Sequence, residues 1–190
     1  MNKLMKECEY LCLSTSNSRF LAQYYTLRKS LYSNKLNYQI AEIDKWDDDC
    51  FVFVVLYKGR VIAGSRLNLA KRNELLPMEE ENFILDNMLD TDNSIYAEYS
   101  KLAIDPKHSG NGVEMLLYSE VDSFCRSHSV KYVFSIVPNT QARLYNRAFQ
   151  KYRNLGGTSK YIVLNNIEIP TSVNKKYNSL SEKLTVVYIL

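Results

Sequence analysis

The sequence predicts an α/β fold organised around one run, Ile95 to Phe149, that reads strand, glycine loop, helix, strand, helix. Three observations carry this. Tyr96 to Ile104 has β-rich composition and ends at Asp105-Pro106, where proline stops a ladder. After the loop Lys107-His108-Ser109-Gly110-Asn111-Gly112, the residues Val113, Leu116, Leu117, Val121 and Phe124 recur at three- and four-residue steps, giving one apolar helix face from roughly Val113 to Ser127. Lys131 to Val137 is a short buried strand, and a second helix is expected from about Thr140.

Composition bounds the answer. With 190 residues the chain is expected to form a single domain, 1–190, large enough for a core. Hydrophobic residues at 46% and charged residues at 24% suit a soluble globular protein, and a net charge of +3 is too small to argue for nucleic acid. Cys8, Cys12, Cys50 and Cys125 form no metal-like pairing. With only His108 and His128 as histidines, no zinc site is expected. Reduced thiols and a cytoplasmic setting follow, and no apolar run reaches signal-peptide or transmembrane length.

In chain order, Tyr10 to Leu13 reads as a short strand or turn. Asn17 or Ser18 can cap a helix running to about Tyr32, with Phe20, Tyr24, Leu27 and Leu31 as its buried stripe. Arg28 sits near that stripe; a lone helical arginine is more often a solvated charge. Ser33 to Asp49 is a long polar loop, a candidate functional segment, ending in Glu42-Ile43-Asp44-Lys45-Trp46-Asp47-Asp48-Asp49. Those carboxylates are either a solvated cap, or hold an ammonium group, or order the loop through arginine pairs. Cys50 to Tyr57 and Val61 to Leu69 form a hairpin turned at Lys58-Gly59. Gly64 marks a bulge or close approach, and Arg66, next to the core, needs a carboxylate that the acidic run can supply. Leu76-Pro77 leads into a helix expected over Met78 to Leu89, whose Glu79, Glu80 and Glu81 suit a first turn. Two further strands are expected, Ser159 to Leu164 and Leu184 to Leu190.

The glycine loop admits two readings: a tight turn, or a cradle whose backbone N–H groups and helix dipole hold a pyrophosphate. Its context favours the second. Lys107-x-x-Gly110-x-Gly112 followed by Asn139-x-x-Ala142-x-x-Tyr145 and Phe149 resembles the GNAT superfamily of acyltransferases, which carry Arg or Gln where this chain has Lys107. The resemblance implies a three-layer α/β/α sandwich with a mixed, mostly antiparallel central sheet split into a V. The front half narrows it. Arg28, Glu42-x-Asp44-x-x-Asp47, Gly64-Ser65-Arg66-Leu67, Leu76-Pro77 and Glu98-x-Ser100-Lys101 are similar to the branch of acyl-homoserine-lactone synthases and FeeM-type long-chain N-acyl amino acid synthases. Lys101 replaces the arginine of the Glu-x-Ser-Arg motif, and an ammonium cannot reproduce a bidentate guanidinium contact.

The resemblance implies transfer of an acyl group from an acyl carrier protein or CoA thioester, as co-substrate rather than tightly bound cofactor, to the amine of an amino acid or similar small amine. The thioester carbonyl is expected at a bulge near Ala103 and Ile104, and the pantetheine phosphate on Lys107, Gly110, Asn111, Gly112 and Val113. Glu98 is the expected base, against the alternative of a strand-surface carboxylate paired with Lys101. Tyr145 is expected to serve the leaving thiolate, or to be a core tyrosine; Asn139 serves the pantetheine or caps a helix. Arg28, Glu42, Asp44, Asp47, Arg66, Ser100 and Lys101 bind the acceptor or order the loop. Arg143, Arg147 and Lys151 share a helix face that suits an acidic carrier protein or is simply solvated. The rivals are an acetyl-CoA-dependent acetyltransferase and a non-catalytic acyl-ligand sensor.

Overall fold

The turn at Lys58-Gly59 sets the register of the sheet. Both residues take left-handed backbone angles, φ 50° and 74°, as a two-residue turn matched to strand twist requires. They join β2 (Phe51–Tyr57) to β3 (Arg60–Ala70), placing Tyr57 opposite Arg60 and Val52 opposite Arg66. The computed structural model describes residues 10–34, 43–71, 74–80, 94–138, 147, 150, 161–164 and 184–189.

With β1 (Tyr10–Thr15), β4 (Ile95–Ile104), β5 (Val130–Pro138), β6 (Tyr161–Leu164) and β7 (Leu184–Ile189), these strands form one sheet in the order β1-β2-β3-β4-β5-β7-β6. Every described pairing is antiparallel except β4 with β5. That parallel pair is joined through helix α3 (Val113–Ser127), the kind of crossover that parallel neighbours need.

Side chains alternate across the sheet. Phe53 and Val55 meet Leu117 and Val121 of α3 on one face, while Val52 and Val54 meet Tyr24 of helix α1 (Ser18–Asn34) on the other. Helices therefore cover both faces, the three layers that the resemblance implies. Asn17 caps α1, its Oδ1 accepting from Arg19 N–H at 3.0 Å. The buried face of α3 includes Met115, Tyr118 and Cys125 beyond the expected stripe.

The sheet parts where chemistry is expected. The β4–β5 ladder runs from Ile95 opposite Val130 only to Glu98 opposite Phe134, although β4 continues to Ile104 and β5 to Pro138. Beyond Glu98 β4 stays with β3, and β5 stays with β7 as far as Pro138 opposite Leu184, so the sheet opens into the expected V. Of the helix expected over Met78 to Leu89, the described part is α2 (Pro77–Glu80). The segment carrying Asn139, Ala142, Arg143, Tyr145, Phe149 and Lys151 lies outside the described residues, as does Glu42.

Candidate functional site

A bulge in β4 stands at the mouth of the V. Arg66 faces Ser100 and Gly64 faces Ala103, so one residue of β3 spans two of β4, Lys101 and Leu102. Lys101 takes φ 56°, a left-handed angle that costs a side-chain-bearing residue roughly 1–2 kcal/mol. The displaced carbonyls are both satisfied from α1: Tyr24 Oη donates to Lys101 O at 2.7 Å and Tyr32 Oη to Leu102 O at 3.0 Å. Gly64 makes room. A Cβ there would lie 2.5 Å from Cδ2 of the Tyr24 ring. The bulge thus lies earlier than the expected Ala103 and Ile104; Ile104 is already back in the ladder, opposite Ala63.

Beside the bulge, on the α1 face, four charged side chains interlock. Arg28 forms a two-pronged pair with Asp47, Nη1 to Oδ1 at 2.8 Å and Nη2 to Oδ2 at 2.7 Å, and both side chains are 1% exposed. Arg66 Nη1 meets Asp44 at 2.5 Å and Asp47 at 3.2 Å, while its Nε reaches Ser100 Oγ at 3.4 Å. Of the two readings of Arg28, a solvated charge or a residue that orders the loop or binds the acceptor, the solvated one does not hold: at position i+4 from buried Tyr24 it shares that residue's inward face. The aspartates owe their positions to a 3-10 turn, Lys45–Asp47, in which Asp44 accepts from Trp46 N–H while Asp47 accepts from Asp44 N–H. Asn68 holds the turn to β3 through Trp46 O and Asp49 O, and Glu80 of α2 takes both Trp46 Nε1–H and the Lys45 ammonium.

Burial opposes charge throughout this cluster, and the pairs decide the outcome. Burial alone would raise Asp44, but Arg66 and then Lys101 outweigh it and hold its carboxyl below the usual range. Burial likewise opposes Asp47, and the hydrogen bonds from Arg28 and from Asp44 N–H win.

Glu98 behaves differently. Burial pushes its pKa up, against the field of Arg66 and the hydrogen bond from Met78 N–H to Oε2 at 2.7 Å. At 7% exposure it is not a strand-surface carboxylate. Lys101 Nζ lies 3.3 Å from Asp44 Oδ2 with its side chain 17% exposed; burial, with Arg66 adding, lowers its pKa against the pull of Asp44.

The glycine loop is open by contrast. Gly110 and Gly112 take φ 80° and 81°, and a Cβ at either would meet nothing within 4 Å among the described residues. Both are therefore glycines for backbone angle. Lys107, Gly110 and Asn111 are exposed; Gly112 and Val113 are buried at the start of α3, where helix geometry leaves the first N–H groups without intrahelical acceptors. Arg147, the one described member of the basic stripe, is exposed.

The structure thus gathers Arg28, Asp44, Asp47, Arg66, Ser100, Lys101 and Glu98 into one site beside the bulge. Sequence reasoning missed Tyr24 and Tyr32 as site residues, and the α2 backbone as the cover over Glu98. Tyr24, Arg28 and Tyr32 follow one another at four-residue steps, which is the signal that marks them as one face. Among the described residues no group of side chains suits a metal ion, and no helix is long and apolar enough to cross a membrane. Cys12, Cys50 and Cys125 are free thiols.

Residues 18–169 match the family described as N-acyl amino acid synthase FeeM. No curated protein matches the chain in sequence. Among solved structures, that of FeeM, an N-acyl amino acid synthase from uncultured soil microbes, superposes with a TM-score of 0.67 at 11% identity, covering 94% of this chain and 89% of that one. The CoA-dependent acyl-homoserine lactone synthase BjaI gives 0.65 at 16% identity, covering 96% and 83%. A putative N-acetyltransferase from Lactobacillus plantarum gives 0.58 at 14%, covering 95% and 97%. At these identities the likeness is one of fold.

Proposed function

We propose the following chemistry for a chain that belongs to the FeeM family of N-acyl amino acid synthases, and so is an N-acyltransferase with the fold it shares with lactone synthases and acetyltransferases. The acyl group, a long fatty chain, moves from a carrier-protein or CoA thioester to the amine of an amino acid. One observation carries the reading. The β4–β5 ladder ends at Glu98 and the bulge of β4 follows at Lys101 and Leu102. A buried carboxylate and redirected peptide groups therefore stand together where the sheet opens.

The thioester carbonyl lies against the bulge, where backbone N–H groups stabilise the oxyanion that forms on attack. The phosphate end of the pantetheine arm sits on Gly110 to Val113, with Lys107 as a nearby cation. The amine arrives protonated; Glu98, directly or through water, takes the proton. A carboxyl whose pKa is raised by burial is closer to the operating pH than an ordinary one, which suits a general base. The amine nitrogen then bonds to the carbonyl carbon, the C–S bond breaks, the thiolate receives a proton for which Tyr145 is the proposed donor, and the second proton that the nitrogen sheds restores that donor.

Arg28 and Arg66 are each committed to aspartates, which supports loop ordering as their role. Lys101, with its partly exposed ammonium, is the cation proposed to meet the acceptor's carboxylate. Arg147, with Arg143 and Lys151, is proposed to guide an acidic carrier protein, in a cytoplasmic setting.

Native mass spectrometry of the protein purified from a bacterial host, followed by organic extraction, tests the reading. A co-purified mass equal to a fatty acyl amino acid is expected. Bound acetyl-CoA in its place would support an ordinary acetyltransferase.

A further inference from the structure

We infer that Tyr24 and Tyr32 are positioning residues for acyl transfer: their hydroxyls hold the β4 bulge in the one orientation that turns the Leu102 N–H toward the thioester. The inference rests on the acyl-transfer reading of that bulge.

In a trans peptide the C=O and N–H of one unit point in opposite directions, and no described peptide bond is cis. The carbonyls of Lys101 and Leu102 point at α1, where Tyr24 and Tyr32 hold them at 2.7 and 3.0 Å. The N–H groups that share those two peptide planes belong to Leu102 and Ala103; Ala103 stands opposite Gly64 in the β3 ladder, in phase with the Asp105 N–H that donates to Ile62 O, so the Leu102 N–H is the one left to turn away from α1. Anchoring the carbonyls therefore aims that N–H group.

The anchor is needed because the bulge opposes its own geometry. Lys101 is held at a left-handed angle that an L-residue leaves readily unless its surroundings fix it. Tyr24 is suited to the task. It is fully buried, burial pushes its phenol pKa far above the ordinary value so that it stays a donor, and its ring lies against Gly64, the residue opposite Ala103. Tyr32, two turns further along α1, repeats the contact one carbonyl later. Arg28 lies between them on the same face, its guanidinium 5.5 Å from the Tyr24 ring centroid. The charged cluster and the two hydroxyls thus share one helix face, and fixing α1 against the 3-10 turn also fixes the bulge.

The test compares Tyr24→Phe, Tyr32→Phe and the double variant with wild type, each losing only an oxygen. Tyr118→Phe, a buried tyrosine of α3 in the core cluster, is the control. Hydrogen exchange at Leu102 and Ala103 in the ligand-free protein is expected to accelerate in the α1 variants and not in the control. In turnover with an acyl thioester, kcat is expected to fall about ten-fold or more, with the donor KM within about two-fold of wild type. A merely structural role would lower thermal stability in all three tyrosine variants without that split. Unchanged exchange at the bulge, or unchanged kcat, overturns the inference. Should Tyr24→Phe fail to fold, half-buried Tyr32→Phe carries the same readouts. Wild-type protein that moves no acyl group would sink the acyl-transfer reading instead, and the exchange rates would still decide whether the hydroxyls hold the bulge.

Discussion

Two regions flank the V and are built on opposite plans. The cluster of Arg28, Asp47, Arg66 and Asp44 is closed: its cations and carboxylates neutralise one another, and Arg28 and Asp47 are almost without solvent contact. The glycine loop is built on backbone angle: Gly110 and Gly112 adopt angles that favour glycine, and a Cβ on either would touch none of the described residues. A region that satisfies its own charges holds other parts in place. A region that leaves backbone donors at a helix start without intrahelical acceptors is the part of the molecule where an anion is proposed to sit. Glu98 stands between these plans, buried like the cluster and within the field of Arg66 and Lys101, with no ion pair to either.

The largest effect expected is in the closed region. Asp47→Ala removes the two-pronged carboxylate partner of buried Arg28 and should cost about 3–5 kcal/mol of stability, read by chemical denaturation. Next is Glu98→Gln. Gln keeps an acceptor for Met78 N–H but has no charge to bury, so stability at neutral pH should hold or rise while turnover falls by about 10²-fold or more. A parallel loss of stability and activity would place Glu98 with the cluster rather than with the chemistry.

In the glycine loop, Gly112→Ala should cost about 1–2 kcal/mol for its left-handed angle and raise the donor KM, since the helix start tilts away from the phosphate. If KM is unchanged, the loop is a turn and no more.

The smallest effect is a pH dependence. Asp44 and Asp47 hold protons more weakly folded than unfolded. Their stabilisation is therefore full above the ordinary aspartate pKa of about 3.9 and is lost as pH falls through their lower folded values. Acid denaturation of Asp44→Asn should show a weaker dependence there, whereas Gly112→Ala should show the wild-type one.

The sequence makes the glycine loop more legible than the closed cluster. Loop geometry is local, so Gly110-Asn111-Gly112 before the periodic run of Val113 to Phe124 announces a strand-to-helix turn, and the helix bounds follow. Arg66 also declares its need, because an arginine in an apolar strand requires a carboxylate and an acidic run precedes it. Arg28 does not, since its burial depends on where a separate 3-10 turn docks on α1. The bulge is the least legible. Nothing in Ser100-Lys101-Leu102-Ala103 distinguishes it from a regular strand; it exists because β3 pairs in different registers on either side of Ser65, with Gly64 admitting the Tyr24 ring. Non-local register and helix docking decide it, and neither is written in local composition.

The central claim is transfer of a fatty acyl group from a thioester to an amino acid. Its most direct test offers palmitoyl and acetyl groups, each on carrier protein and on CoA, together with mixed amino acids, and weighs the amide products. The account predicts a palmitoyl amino acid, with one thiol released per amide and about 10²-fold less formed per unit time by Glu98→Gln. Acetyl amide as the sole product, or thiol release without any amide, would contradict it.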